Sequence, residues 1–159
     1  MKFNSALRNF VLVLFSTLLI SACSTAKKAA VDTVDDVYTG TDTVEYLAKG
    51  VPDRVFFATN KAKLTTRSRD TLWKQATFLR KNKDLTVTLE GHADERGTRE
   101  YNLALGERRA NAAKDYLMTY GVSGKRMTVI SYGKEKPVNP ASNPLAWSQN
   151  RRSVTVKAN

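Results

Sequence analysis

An α+β domain, with two main helices on one face of a four-stranded sheet, is the fold this 159-residue sequence predicts. Three observations point to it. Two stretches carry apolar residues at helical spacing, and four shorter stretches alternate or run apolar as strands do. These elements follow one another in the order β-α-β-α-β-(turn)-β, which one layer of helices on one sheet accommodates. The length suits one domain with a tail to spare, and no internal repeat is visible.

The elements are justified in turn. Val55-Phe56-Phe57 reads as the first strand, stopped by Thr59-Asn60. Ser68 or Thr66 serves as the cap of a helix whose stripe is Leu72, Trp73, Ala76 and Leu79, with Lys74, Arg80 and Lys81 on its basic side. Leu85, Val87 and Leu89 alternate with Thr86, Thr88 and Glu90 in a half-buried second strand that ends at Gly91. A polar loop from His92 to Thr98 leads into a long helix from about Arg99 to Tyr120. Leu103, Ala110, Ala113, Leu117 and Tyr120 form its apolar face, and Gly121 is its stop. Met127 to Tyr132 is the third strand. Residues 133–147 form a Pro/Asn-rich loop with one helical turn near Leu145-Ala146-Trp147, and Ser153 to Lys157 is the last strand. Trp73 and Trp147 are both expected to pack.

The N-terminus sets the compartment. Lys2 and Arg8 precede an apolar run from Phe10 to Ile20, followed by Ser21, Ala22 and Cys23, the order of a secretory signal. The run falls short of the about 20 residues a membrane-spanning helix needs. The only cysteine of the chain stands where Ile20-Ser21-Ala22-Cys23 resembles the bacterial lipobox, in which the thiol is acylated and the chain is cut before it. Several acyl chains hold far more firmly than one, since each buried methylene adds about 0.8 kcal/mol. Ser24 after the lipidated residue resembles the class sorted to the outer membrane, with the domain facing the periplasm. Three segments follow: a lipoprotein signal peptide at 1–22, a lipidated N-terminus and flexible tether at 23–50, and a folded domain at 51–159. Val44 to Leu47 is the one part of the tether that has the composition to pack locally. Processing lowers the net charge from +11 to +9.

Composition narrows the chemistry. A lone cysteine forms no intramolecular disulfide, and no Cys/His cluster offers a metal site. A basic chain outside the cytosol seeks carboxylates rather than nucleic acid as its anion. No cofactor is expected beyond the covalent lipid on Cys23.

The densest polar stretch is Gly91-His92-Ala93-Asp94-Glu95-Arg96-Gly97-Thr98-Arg99-Glu100-Tyr101-Asn102, continued by Leu105-Gly106-Glu107-Arg108-Arg109-Ala110-Asn111. With Phe56-Phe57, the run from Ser131 to Pro137, and Gln149-Asn150-Arg151-Arg152, it resembles the OmpA-like peptidoglycan-binding domain in the form carried by peptidoglycan-associated lipoproteins. The resemblance covers about Val55 to Val156 and implies a mixed sheet. It further implies that Asp94 and Arg109 grip diaminopimelate of the wall's stem peptides. Asn102 would add a polar contact, Leu105 an apolar wall, and Phe57-Ala58 a backbone edge. It also implies a tether between outer membrane and wall within the Tol cell-envelope system, with a TolB-like periplasmic propeller as partner. Arg99 stands where many members have Pro, and Asn60 where relatives often have Asp.

The residues make chemical sense of that ligand. The free end of diaminopimelate carries an ammonium and a carboxylate on one carbon. Arg holds a carboxylate with two parallel hydrogen bonds, and Asp accepts from an ammonium. Arg109 lies next to the apolar stripe, so its stem can follow the core edge while its fork reaches the Asp94 loop. The helix start at Thr98-Arg99 adds free N–H groups. Other readings stay open. Asp94 and Arg109 could form a salt bridge of the fold. His92 suits a hydrogen-bonded structural role better than catalysis, and Glu95, Arg96 and Arg108 suit solvated or loop-bracing pairs. Of Arg151 and Arg152, one is expected to brace the acidic loop and the other to lie at the surface. No catalytic residue is expected. A wall hydrolase built on Asp94, Glu95 and His92 is disfavoured, because adjacent loop residues rarely place two carboxylates about 5–9.5 Å apart across a sugar. An OmpA-domain lipoprotein outside the Tol system is the other alternative.

Overall fold

The computed structural model describes residues 36–158. The signal segment and the acylation expected at Cys23 lie outside the described residues. Three strands come first: β1 (Tyr46–Ala48), β2 (Val51–Pro52) and β3 (Arg54–Phe56). They are followed by α1 (Thr66–Lys81), β4 (Val87–His92), α2 (Arg99–Thr119), a short 3-10 turn at Gly124–Arg126, β5 (Met127–Gly133), α3 (Pro144–Asn150) and β6 (Arg152–Lys157). The main sheet has the order β3-β6-β4-β5. Strands β4 and β5 run parallel around the α2 crossover, while β6 pairs antiparallel with both β4 and β3. The sheet is therefore mixed, and the expected α+β class holds.

Alternation along the strands sorts the side chains. Val55, Phe57, Val87, Leu89 and Met127 join Leu72, Ala76 and Leu79 of α1 and Ala110, Ala113 and Leu117 of α2 in one core. Helix α1 is capped by Thr65, one residue before Thr66 and three before Ser68: its side chain accepts the Ser68 N–H at 3.1 Å, while the Ser68 hydroxyl donates to the Phe56 carbonyl. Trp73 is half exposed instead of packed, and Gln75 takes the buried place. Its amide donates to the Pro52 carbonyl and accepts from Thr155, so a polar side chain is fully satisfied there.

Helix α2 is capped by the Thr98 side chain and ends where Gly121 adopts φ +83°. Its buried face is rotated from the expected one. Asn102, Leu105, Gly106 and Arg109 are buried with Ala110, Ala113 and Leu117, whereas Tyr120 is partly exposed. The cause is a glycine pair: Gly106 lies directly against Gly91 of β4, and a Cβ on either would collide with the other's backbone. Backbone contact at that level draws the first half of α2 onto the sheet and turns Arg109 inward.

The flexible tether expected up to residue 50 needs correction at its end. Tyr46–Ala48 pairs with Val51–Pro52, Leu47 joins the core, and Tyr38 packs edge-on against Phe56 with ring centroids 4.8 Å apart. Two buried apolar side chains hold residues 36–50 on the domain.

Candidate functional site

The C-terminal end of β4 and the chain leaving β3 bring the candidate residues together. Asp94 follows β4 by two residues, and its carboxylate is braced by two arginines. Arg96 reaches it with Nη2 at 2.7 Å, Nε at 3.1 Å and its own backbone N–H at 3.1 Å. Arg151 adds Nη1 at 3.3 Å. Burial raises the carboxyl's pKa, but the hydrogen bonds and charges of Arg96 and Arg151 outweigh it and hold Asp94 below the ordinary 3.8. Asp94 is thus an anion at any neutral pH.

Arg109 is fully buried and forms no ion pair with Asp94 or any other carboxylate among the described residues. The salt-bridge reading of Asp94 and Arg109 is therefore corrected. Arg109 donates through Nε to Lys61 O at 2.9 Å, through Nη1 to His92 O at 2.8 Å and through Nη2 to Ala58 O at 3.1 Å. Three carbonyls from two backbone segments thus converge on one guanidinium, and the Phe57 ring packs against it at 5.4 Å. Burial and the nearby Arg151 lower its pKa to about 10, with the Asp94 charge acting in the opposite direction, so it stays cationic at neutral pH. A guanidinium has five N–H donors, so two remain for an acceptor.

The other candidates gather around this pair. Asn102 is buried and donates to Arg96 O at 2.9 Å, holding the loop that carries the brace of Asp94. Leu105 is buried one turn before Arg109. Phe57 is fully buried, and its carbonyl accepts from Arg151 Nε at 3.0 Å. Ala58 supplies the carbonyl that holds Arg109. All six candidates lie at one end of the sheet.

Arg96 takes the loop-bracing role among those the sequence left open, and Arg151 is the one of the arginine pair that braces the acidic loop. Arg151 and Arg152 are both buried, so neither is a surface residue as expected of one of them. Arg151 ties Asp94, Phe57 O and the Asp36 carbonyl together, whereas Arg152 donates to Asn150 O and Lys136 O. Glu95 accepts from the Ser142 hydroxyl and from Trp147 Nε1 at 2.8 Å, and the Arg96 guanidinium stacks 4.3 Å over the Trp147 ring. A cleft of about 570 Å³ opens here, with Asp36, Thr59, Arg96, Leu145, Trp147 and Arg151 in its walls. His92 is buried and stacks on Tyr132 at 5.5 Å, but neither ring nitrogen completes a hydrogen bond. It is a packed histidine rather than a hydrogen-bonded one.

A β3-β6-β4-β5 sheet under two helices, with a charged cluster where β4 ends, defines a domain of the OmpA type. Residues 56–151 match the OmpA family. The chain is 41% identical over 154 residues to the peptidoglycan-associated lipoprotein of Mesorhizobium japonicum, an alignment covering 94% of this chain and 92% of that one. It is 57% identical over 106 residues to the protein of the same name from Rhizobium meliloti, covering 67% of this chain but only 60% of the relative's length. The crystal structure of the peptidoglycan-associated lipoprotein from Burkholderia pseudomallei superposes with a TM-score of 0.65 at 36% identity, covering 67% of this chain and 90% of that one. The chain belongs to the OmpA family and, within it, to the peptidoglycan-associated lipoproteins.

Proposed function

We propose that this protein is a non-catalytic binding module of the cell envelope: an outer-membrane lipoprotein, anchored through Cys23, whose domain holds peptidoglycan stem peptides. Diaminopimelate is the group it grips. Arg109 takes the carboxylate, Asp94 takes the ammonium, and Asn102, Leu105 and the Phe57-Ala58 backbone form the surrounding surface. One observation carries this reading: Arg109 is fully buried, cationic and without a carboxylate partner among the described residues, at the same end of the sheet as an ionised Asp94. A buried charge with free donors awaits a counter-ion, and the zwitterionic end of diaminopimelate supplies one charge for each residue. The relatives' name, which couples peptidoglycan with a lipid, supports the same reading.

Membership of the Tol envelope system, with a TolB-like propeller as partner, is part of this proposal and rests on the family resemblance. Tethering and many copies make weak single-site binding firm through effective concentration.

Co-sedimentation with purified sacculi tests the reading. The full chain is expected to pellet with the wall and to release no soluble muropeptides. Failure to pellet would sink the proposal, and muropeptide release would replace it with a hydrolase. A pull-down against a TolB-like protein separates Tol membership from the alternative of a lipoprotein outside that system.

A further inference from the structure

The face of the sheet that carries no helix holds a second set of unmatched polar groups. Arg54, Val154, Glu90 and Ile130 stand side by side across β3, β6, β4 and β5; Phe56 pairs with Arg152 at the next level, and His92, opposite Gly133 across a bulge, stacks on Tyr132. Of these, Arg54, Val154, Glu90, Arg152 and His92 border an open groove of about 530 Å³, together with Lys136, Val138, Val156 and Tyr46–Leu47 of β1.

The charges in this groove are near balance in number but are not all paired. Arg54 is matched by Asp53, with Nη2 to Oδ2 at 2.7 Å, and by Glu45 at 3.4 Å. Arg152 is 6% exposed and has no carboxylate within 4 Å among the described residues. Among the described residues its Nε–H has no acceptor and neither ring nitrogen of buried His92 completes a hydrogen bond, with Glu90 Oε2 3.5 Å from His92 Nε2. Lys136 stands exposed at the rim, its ammonium 3.7 Å over the Tyr132 ring. Leaving such polar groups buried and unmet is unfavourable. Exposed Tyr46, Val138 and Val156 line the same groove.

We propose that this groove is a second binding site, separate from the Asp94–Arg109 end, which takes a carboxylate carried on an extended peptide segment of a partner protein. A carboxylate suits it better than a phosphate because Glu90 shares the groove and repels a dianion more strongly than a monoanion. A peptide suits it better than a free acid because the exposed apolar side chains offer contact that a small acid leaves unused. A desolvated cation ringed by apolar contacts is the arrangement that concentrates binding energy in protein interfaces.

The test uses the full chain in detergent micelles and NMR detection of the Arg152 Nε–H and His92 ring signals. The probe is a blocked pentapeptide with a central glutamate between two valines, compared with its glutamine counterpart and with inorganic phosphate. The glutamate peptide is expected to shift both signals saturably and the glutamine peptide to leave them in place. Lys136→Glu, on the exposed rim, is expected to weaken the response at least about tenfold without altering retention on sacculi. Arg152→Lys is expected to keep the fold and lose most of the response. Equal shifts with glutamate and glutamine peptides, or none with either, would overturn the proposal. So would phosphate binding as tightly as the peptide, which would mark a plain anion site.

Discussion

Asp94 and Arg109 stand at the same end of the sheet and do not pair: two other arginines hold Asp94, and three backbone carbonyls hold Arg109. Each charge is fixed independently of the other, so the pair keeps its geometry whether or not a ligand lies between them. That is pre-organisation, in which the cost of orienting the charges is met on folding rather than on binding.

Arg109 consequently supports the fold as well as the proposed grip. Arg109→Ala leaves the carbonyls of Ala58, Lys61 and His92 without their donor and opens a cavity, and is expected to cost about 3 kcal/mol or more. Arg109→Lys keeps the charge but not the fork, and should retain most of the stability while losing wall retention. Urea unfolding beside sacculus co-sedimentation checks both, and unchanged retention in Arg109→Lys would remove Arg109 from the site.

Asp94→Asn separates binding from folding more cleanly, because the amide keeps the side chain's shape while removing its charge. Retention on sacculi is expected to vanish. Stability should fall by about 1–3 kcal/mol, since buried Arg151 loses the nearer and more buried of its two carboxylate partners and keeps only Asp36.

The pH dependence follows from two lowered pKa values. His92 is pushed down from 6.5 to about 3, by burial above all and then by Arg152, Lys136 and Arg54. Between those values the unfolded chain binds a proton that the folded one refuses. Stability is therefore complete above about pH 6.5 and declines on acidification by up to about 1.4 kcal/mol per pH unit. Asp94 adds a second loss only once the pH drops below its ordinary 3.8. Urea midpoints from pH 7 to 4 are expected to fall in the parent and to flatten in His92→Gln.

Gly91 and Gly106 are where α2 touches β4, and an added methyl group on either meets backbone. Gly106→Ala is expected to destabilise by about 1–3 kcal/mol and Gly91→Ala by at least as much, as over-packing does. Because the same contact turns Arg109 inward, wall retention should weaken along with the melting temperature.

Anchoring is tested at Cys23. Cys23→Ser is expected to leave the protein soluble in the periplasm or held as its precursor, and cell fractionation reads the difference. Unchanged recovery in the outer membrane would refute acylation.

Much of the fold was legible because local signals agreed. The α2 limits at Arg99 and Thr119 follow from Thr98 as cap and Gly121 as stop, and the strands around Leu89 and Met127 alternate cleanly. What escaped were features set by distant contacts. The β1–β2 hairpin is too short to show a period, and Leu47 is buried only because the sheet lies beneath it. Trp73 sits at the edge of its apolar stripe and stays in solvent, whereas Gln75 is buried through partners at Pro52 and Thr155. The structure brings the candidate residues to one end of the sheet, but their wiring was not legible. Arg151 meets Phe57 and Asp94 across 94 and 57 residues of chain, a separation that no local pattern encodes.

The most direct measurement is calorimetric titration of the full chain with two muropeptides, one ending in diaminopimelate and one carrying lysine in its place. Lysine lacks the second carboxylate, so it offers Arg109 nothing to hold. Saturable one-site binding of the diaminopimelate muropeptide is expected, with little heat from the lysine form and none from either in Asp94→Asn. Equal binding of the two muropeptides, or binding that survives the loss of the Asp94 charge, would contradict the account.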